Sequence, residues 1–243
     1  MPRGERCVAL LMAAGLGTRL RPLTDATPKC LIEIGGRPLI DYWVEALERL
    51  GVARAVMNTH HLHEQVRGYI ESSNAGRSVR LEESYEPTLL GSAGTVTNNA
   101  SLCDDADACL IIYADNLSTV PLPDMLAFHA SHADPFTMLV FRAAEPRRCG
   151  IAECDADGRI VGFEEKPENP RSNLANAGVY IVDRDAYREI AAMNAFDIGF
   201  DVLPRFVGRM RAWAWDGYHR DIGTHESLAA AREDVKAWSS HAG

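Results

Sequence analysis

The sequence has no surplus of positive charge: 25 Lys and Arg face 34 Asp and Glu, a net charge of −9. Binding to a nucleic-acid backbone runs on clustered cations, so no nucleic-acid partner is expected. A small phosphorylated ligand is not excluded, because a few local cations and backbone N–H groups suffice for it. There is no long apolar run either. The stretch from Cys7 to Ala14, which follows Met1-Pro-Arg-Gly-Glu-Arg6, is too short to span a membrane. It leads into glycines and arginines with no cleavage-site pattern, so no membrane partner is expected. The six cysteines, at 7, 30, 103, 109, 149 and 154, form no CxxC pair and no zinc spacing. They read as reduced thiols of a cytoplasmic protein, not as a disulfide framework.

What is present is alternation. Val8–Ala14 reads as a strand. Pro38–Leu50 reads as a helix on Leu39, Ile40, Trp43, Val44, Leu47 and Leu50, with Gly51 as its stop. Ala53–Asn58 is a second strand, Leu62–Ile70 a second helix and Val79–Glu83 a short strand. Cys109–Ala114 is a continuous apolar strand ending at Asp115, and Phe136–Phe141 is another. Strands separated by helices imply right-handed crossovers and a mostly parallel sheet covered on both faces. After about residue 145 the texture changes. Ile151–Cys154 and Arg159–Phe163 flank Asp155-Ala-Asp-Gly158, a hairpin signal. Ala175–Val182 and Arg211–Trp215 are further strands, with a short helix near Tyr187–Met193 between them. Thr224–Trp238 closes the chain as a helix that Thr224 caps. The expected fold is α/β, a doubly wound, mostly parallel but mixed sheet in three α/β/α layers, over one domain, 1–243.

The strongest local signal is Ala13-Ala-Gly-Leu-Gly-Thr-Arg-Leu-Arg-Pro-Leu-Thr24, followed by Pro28-Lys29, directly after the first strand. Ligands of open α/β sheets bind outside the carboxyl ends of the strands. Gly15 and Gly17 let the backbone approach an anion, and successive N–H groups in such a turn form an anion-binding nest. Thr18 adds a hydroxyl, Arg19 a planar fork for phosphate oxygens and Lys29 a second, mobile cation. Two commoner phosphate loops do not fit. No Gly-Lys-Ser/Thr ends the loop, and Leu20 stands where a dinucleotide fingerprint has its third glycine. Read as bare glycines, the segment would be an ordinary strand-to-helix turn. The clustered Thr, Arg and Lys argue for a phosphate site.

Gly15-Leu-Gly-Thr-Arg-Leu-Arg-Pro-Leu-Thr24 with Pro28-Lys29 resembles the signature of the sugar-1-phosphate nucleotidylyltransferases, also called nucleotide-sugar pyrophosphorylases. The resemblance covers nearly the whole chain. Later landmarks arrive in family order: Leu90-Gly-Ser-Ala-Gly-Thr95, Tyr113-Ala-Asp115, Phe163-Glu-Glu-Lys-Pro167, Asn176-Ala-Gly-Val-Tyr180 and Arg220-Asp-Ile-Gly-Thr224. It implies the fold of the nucleotide-diphospho-sugar transferases, a nucleotide-binding half at 1–145 and a sugar-phosphate-binding half at 146–243. The implied reaction joins a nucleoside triphosphate to a sugar 1-phosphate, giving a nucleotide sugar and pyrophosphate with Mg2+ as cofactor. A homodimer is the assembly it suggests.

Residue by residue, the resemblance assigns nucleotide contacts to Ala13, Ala14, Gly15, Gly17, Thr18, Arg19, Lys29, Gly91, Ser92, Gly94 and Asp115. Asp115 and Asp221 become the metal carboxylates. Arg19 and Lys29 face the departing pyrophosphate, and Lys166 meets the sugar phosphate. Glu165 receives sugar hydroxyls, with Gly150 and Asn176 as further sugar contacts. Local sequence alone allows plainer readings: a strand-end Asx turn for Asp115, a helix approach for Asp221 and a solvated strand edge for Glu164-Glu-Lys166. Two departures stand out. Cys149 occupies a position where an aromatic often precedes the glycine, and Asp115-Asn-Leu replaces the commoner Gly-Asp pair.

Leu90-Gly-Ser-Ala-Gly is closer to the Gly-Thr-Ala-Gly segment of mannose-1-phosphate and heptose-1-phosphate guanylyltransferases than to the Leu-Ala-Gln segment of thymidylyltransferases. GTP with a mannose-like or heptose sugar therefore leads, and Ser92 is expected to meet guanine's N–H edge. Alternatives are uridylyl or cytidylyl transfer to N-acetylmuramate 1-phosphate or phosphocholine, and a silent nucleotide-sugar sensor. His60, His61 and His63 have the look of a metal cluster, but a polar loop near the crevice is the favoured reading. Trp213 and Trp215 share one face of a strand, which points to core or rim packing.

Overall fold

The computed structural model describes residues 6–240; residues 1–5, which lead into the first strand, lie outside the described part. Strand β1 (Cys7–Met12) runs into the glycine loop, a short helix α1 (Leu23–Ala26) and a ribbon, β2 (Glu33–Ile34) with β3 (Arg37–Pro38). Helix α2 (Leu39–Leu50), β4 (Arg54–Thr59), α3 (His63–Asn74) and β5 (Arg80–Tyr85) follow. After them come α4 (Gly91–Asn98), β6 (Ala108–Tyr113), β7 (Asn116–Ser118), α5 (Leu122–His129) and β8 (Phe136–Arg142). The hairpin β9 (Gly150–Cys154) and β10 (Ile160–Glu165) leads to the long β11 (Leu174–Asp183) and α6 (Arg184–Ala192). A π-helical turn at Ile198–Val202, α7 (Leu203–Phe206), β12 (Met210–Ala214), β13 (His219–Asp221) and α8 (His225–Ser240) complete the order.

The main sheet runs β5-β4-β1-β6-β11-β8-β12, with β9 and β10 branching beside the start of β11. β5, β4, β1 and β6 are mutually parallel. β11 enters antiparallel between β6 and β8, and β12 lies parallel to β8. Period-two alternation sorts the side chains to two faces. Leu11, Met57, Leu110, Ile112, Val179 and Ile181 pack under α2, α3 and α5. Leu10, Val56, Cys109, Ile111, Tyr180 and Val182 pack under α4, α6 and α7. The sheet is thus doubly wound in three layers, as the alternation of elements predicts. A third cluster, built on Leu20, Ile32, Leu39, Leu117, Ile222, Leu228 and Val235, clamps the glycine loop and the ribbon against α8.

Local chemistry sets several ends. The buried stripe of α2 is Leu39, Ile40, Trp43, Val44, Leu47 and Leu50, and the Gly51 N–H closes onto the carbonyls of Glu48 and Leu47. Asp155 Oδ1 accepts from the N–H groups of Asp157 and Arg159 at 3.0 and 2.9 Å, which turns the β9–β10 hairpin. Thr224 Oγ1 accepts from Ser227 N at 3.1 Å and starts α8. Helix α4 carries little helical signal of its own. Gly-Ser-Ala-Gly-Thr-Val-Thr-Asn is poor in helix formers. It is helical because Ala93 and Val96 are buried on the sheet and Ala93 N donates to Phe196 O at 3.0 Å.

Candidate active site

The carboxyl ends of β1, β4, β5 and β6 meet around a cavity of about 360 Å³. Ala13, Ala14 and Gly15 follow β1, Asn58 ends β4, Glu86 follows β5 and Asp115 follows β6; Leu89, Gly91, Ser92 and Thr95 close one wall. Its floor is a satisfied polar network. Asn58 Oδ1 accepts from Ala13 N at 2.6 Å and Ala14 N at 3.2 Å. Asn58 Nδ2 donates to Glu86 Oε1 and Thr95 Oγ1, both at 3.0 Å. Thr95 Oγ1 donates to Glu86 Oε1 at 2.6 Å, and Leu90 N donates to Glu86 Oε2 at 3.2 Å. Asn58, Glu86 and Thr95 are all buried. A buried carboxylate is tolerable only with such partners.

The two candidate metal carboxylates converge although 106 positions separate them. β13 pairs with β7, setting Asp221 opposite Asn116, the neighbour of Asp115. Lys29 Nζ then lies 2.7 Å from Asp115 Oδ2 and 3.5 Å from Asp221 Oδ1. The Lys29 side chain is 6% exposed, whereas those of Asp115 and Asp221 are 42% and 55% exposed. Lys29 is therefore not the mobile cation expected from sequence; it is a buried ammonium that holds two carboxylates at the rim. Those carboxylates are hard oxygen donors with room beside them, which suits an ion that keeps waters and substrate oxygens in its shell. Among the described residues, no group of three or more His, Cys, Asp or Glu side chains gathers as an all-protein metal cage.

The loop before them is bent at Gly17, whose φ of +61° is open to glycine and strained for other residues. Thr24 Oγ1 and Leu20 N both donate to its carbonyl, at 2.9 and 2.8 Å. Thr18 and Arg19 stand on the short turn that follows. The Arg19 guanidinium is exposed and reaches to 3.8 Å from Asp221 Oδ2.

Of the other expected residues, Gly91 and Ser92 line the cavity, and Gly94 sits inside α4 against Leu90. The Ser92 hydroxyl already has two protein partners. It accepts from Ile198 N at 2.8 Å and donates to Asp197 Oδ2 at 3.3 Å, tying α4 to the segment before the π-helical turn. Glu165 lies against Gly150 and Gly199, where neither position has space for a Cβ. Burial pushes its carboxyl above the usual range, with Lys166 opposing and Asp197 adding to the rise. Lys166, in the left-handed region at φ +51°, donates its N–H to Cys149 O at 3.0 Å. Its side chain shares a separate open cavity with Arg147, Pro167, Glu168 and Asn169. Asn176 braces a bulge in β11: its Oδ1 accepts from Gly178 N at 2.9 Å and its Nδ2 donates to Tyr180 Oη at 2.7 Å.

The histidines turn to three different partners. His60 Nδ1 meets Glu86 O at 2.7 Å, His61 Nε2 meets Thr24 O at 2.8 Å, and His63 lies against Tyr85. His60 and His61 thus brace the crevice and do not converge. Trp213 and Trp215 stack 6.1 Å apart at the edge of the core.

A mixed sheet whose parallel strands end at a glycine loop, with Asp115 and Asp221 paired beside it, has the layout of an α/β ligand site. Residues 8–237 match the family described as nucleotidyl transferase, and the chain belongs to that family. Its relatives include a mannose-1-phosphate guanylyltransferase catalytic subunit beta from Dictyostelium discoideum, 33% identical over 218 residues. The alignment covers 88% of this chain and 60% of that one. A protein of the same name from Danio rerio is 32% identical over 219 residues, covering 88% and 61%. This chain therefore spans about 60% of the length of those relatives. Among solved structures, a Bacillus anthracis protein named as a glucose-1-phosphate thymidylyltransferase, in complex with a sucrose, superposes with a TM-score of 0.84. It is 23% identical, with 94% of this chain and 95% of that one covered, and so it speaks for the fold.

Proposed function

We propose that the chain transfers a nucleotidyl group from a nucleoside triphosphate, GTP before the others, to a mannose-like or heptose 1-phosphate, releasing pyrophosphate. The observation that carries this reading is the convergence of Asp115 and Asp221 on Lys29 beside a glycine loop at the strand ends. Both reactants are anionic, so the site must cancel repulsion and align the acceptor oxygen with the α-phosphorus. Lys29 keeps the two carboxylates side by side. Arg19, exposed on the outer side of Asp221, is free to swing onto the departing pyrophosphate. Lys166 holds the acceptor phosphate, and Glu165 receives sugar hydroxyls. Mg2+ held by Asp115 and Asp221 would add charge neutralisation and a template for the phosphate oxygens. In this reading residues 1–145 chiefly bind nucleotide and 146–243 chiefly bind acceptor.

Two observations support guanine. The named relatives are guanylyltransferases. In the cavity, Glu86 adds a second acceptor beside Ser92: among the described residues its Oε2 accepts only the 3.2 Å bond from Leu90 N. A carboxylate suits guanine's adjacent N1–H and N2–H donors, whereas uracil offers one donor on that edge.

Pyrophosphate release across four nucleoside triphosphates and a panel of sugar phosphates, in Mg2+, tests the proposal. Release with GTP and mannose or heptose 1-phosphate is expected. Release that is fastest with UTP or CTP overturns the base assignment. Binding of nucleotide sugars without any release overturns the transfer reaction in favour of a sensor. A cytoplasmic setting is also proposed, supported by six free cysteines, four of them buried. A homodimer is the proposed assembly, and sedimentation at micromolar concentration reads it directly.

A further inference from the structure

We propose that Phe196 is the stacking face of the nucleotide cavity and that a purine is the base it covers. The inference rests on the nucleotidyl-transfer reading and deepens it. The exposed large hydrophobics among the described residues are Leu16, Tyr85, Leu89, Val161, Phe196 and Phe200. Two of them, Leu89 and Phe196, line the cavity at the strand ends. Phe196 is 64% exposed there, an uncovered aromatic surface beside a ready-made pocket.

The ring stands on a fixed mount. Phe196 O accepts from Ala93 N at 3.0 Å, and Phe196 N donates to Asp201 Oδ2 at 2.9 Å. The next two N–H groups are also held, Asp197 N by Asp201 Oδ2 at 2.8 Å and Ile198 N by Ser92 Oγ at 2.8 Å. Gly91 makes the mount possible. A Cβ there would overlap the Phe196 carbonyl oxygen and come within 2.9 Å of the ring, and its φ is +76°. With its backbone held in this way, the segment has little main-chain freedom to lose when a ligand arrives.

The rest of the cavity limits what the ring can cover. Its deep end is polar, with Asn58, Glu86 and Thr95, and its inner lip is the Ala13–Gly15 backbone beside Lys29. A ligand that fills it carries phosphate at one end and, at the other, a flat apolar face with N–H donors on its edge. A nucleobase has that combination. A pyranose has hydroxyls around its rim, and an aliphatic group has no N–H donors for the polar end. A purine presents a wider face to the ring than a pyrimidine and so gains more from it.

The test is equilibrium titration of GTP and of UTP, with Mg2+ and without acceptor, into the wild type and into Phe196→Ala, Phe196→Tyr and Phe200→Ala. Phe196→Ala is expected to weaken GTP by roughly tenfold or more, the usual scale for losing one base–aromatic stack, and to weaken UTP less. Phe196→Tyr should bind GTP as the wild type does. Phe200→Ala changes an exposed aromatic on the same turn that does not line the cavity, and should change neither affinity. Steady-state rates should show a raised KM for GTP with kcat and the acceptor KM preserved. Equal GTP affinity in wild type and Phe196→Ala, or a change in acceptor KM alone, overturns the assignment. An equal loss for UTP overturns its purine part. A wild type that binds neither triphosphate would instead remove the nucleotidyl-transfer reading on which the inference stands.

Discussion

The two sides of the crevice are built on opposite principles. On the nucleotide side the polar groups have partners before any ligand arrives. Lys29 is buried between two carboxylates, and Asn58, Glu86 and Thr95 close a network that reaches the backbone of the phosphate loop. On the acceptor side, neither the Lys166 ammonium nor the Arg147 guanidinium makes a hydrogen bond or ion pair among the described residues. Arg148, the neighbour of Arg147, is paired with Glu145 at 3.0 Å. A paired, buried group is costly to disturb, because its partner is left stranded in a poor solvent. An unpaired surface cation has little to lose until an anion reaches it. Substitutions on the nucleotide side should therefore disturb catalysis or folding, and those of the unpaired acceptor-side cations should disturb affinity alone.

The largest expected effect tests the nucleotide side. Asp115→Asn or Asp221→Asn should lower turnover in Mg2+ by at least ~10²-fold, the scale of losing a main electrostatic element. Thermal melting of Asp221→Asn should stay close to wild type, whereas Asp115→Asn should melt lower, because it takes the 2.7 Å partner from the buried Lys29 ammonium. Near-normal turnover of either variant breaks the comparison at its centre.

Next comes a contrast between Lys166 and Arg19. Lys166→Ala should raise the KM for sugar phosphate, and Arg19→Ala should harm nucleotide use and pyrophosphate departure. Each lost charge-assisted contact should cost about 1.5–3 kcal/mol. The opposite substrate dependence would show the two phosphate assignments to be exchanged.

Glu86→Leu sharpens the comparison through stability. It takes one acceptor each from the Asn58 amide and the Thr95 hydroxyl and strands the Leu90 N–H, and should cost about 1–3 kcal/mol in urea unfolding. Lys166→Met, which strands nothing, should unfold with the wild type. Equal midpoints for Glu86→Leu and wild type would mean that the network does not hold the cavity floor.

The smallest effect belongs to Glu165, the acceptor-side group that is partly buried. Burial raises its folded-state carboxyl above the ordinary value of 4.5. Ionising it therefore costs stability: the penalty is absent below the unfolded value and grows as pH rises through the folded one. Glu165→Gln should melt slightly higher than wild type at pH 7, and the gap should close in acid. A gap that widens on acidification contradicts the raised carboxyl.

Much of the scaffold is legible in the chain. β1, β4 and β6 are β-branched or apolar runs, α2 carries a full apolar stripe, and the glycine loop announces the strand end at which ligands bind. Helix α4 is hidden because its glycines, serine and threonines have weak helical preference and the sheet beneath supplies what they lack. The floor network is hidden for another reason. Asn58, Glu86 and Thr95 are ordinary polar residues in sequence, and only parallel pairing of β1 with β4 and of β4 with β5 sets them side by side. Lys29 could be named as a phosphate cation from its motif, but its burial against Asp115 and Asp221 depends on a β7–β13 pairing that no local pattern encodes. Phe196 lies in a stretch with no motif, and an exposed aromatic gives no periodic signal.

The position of β11 has a consequence for how the molecule is made. It is threaded between β6 and β8, both of which precede it in the chain, and β12 can join only after that. As the polypeptide emerges from the ribosome, the edge of β6 therefore stays an open, apolar template until Leu174–Asp183 has been synthesised. Nascent chains arrested before that strand should aggregate or recruit chaperones, whereas chains extended through β12 should not, an outcome that ribosome-bound truncations can score by pelleting. Assembly is thus back-loaded: the phosphate loop is translated well before the strands that complete the sheet supporting it.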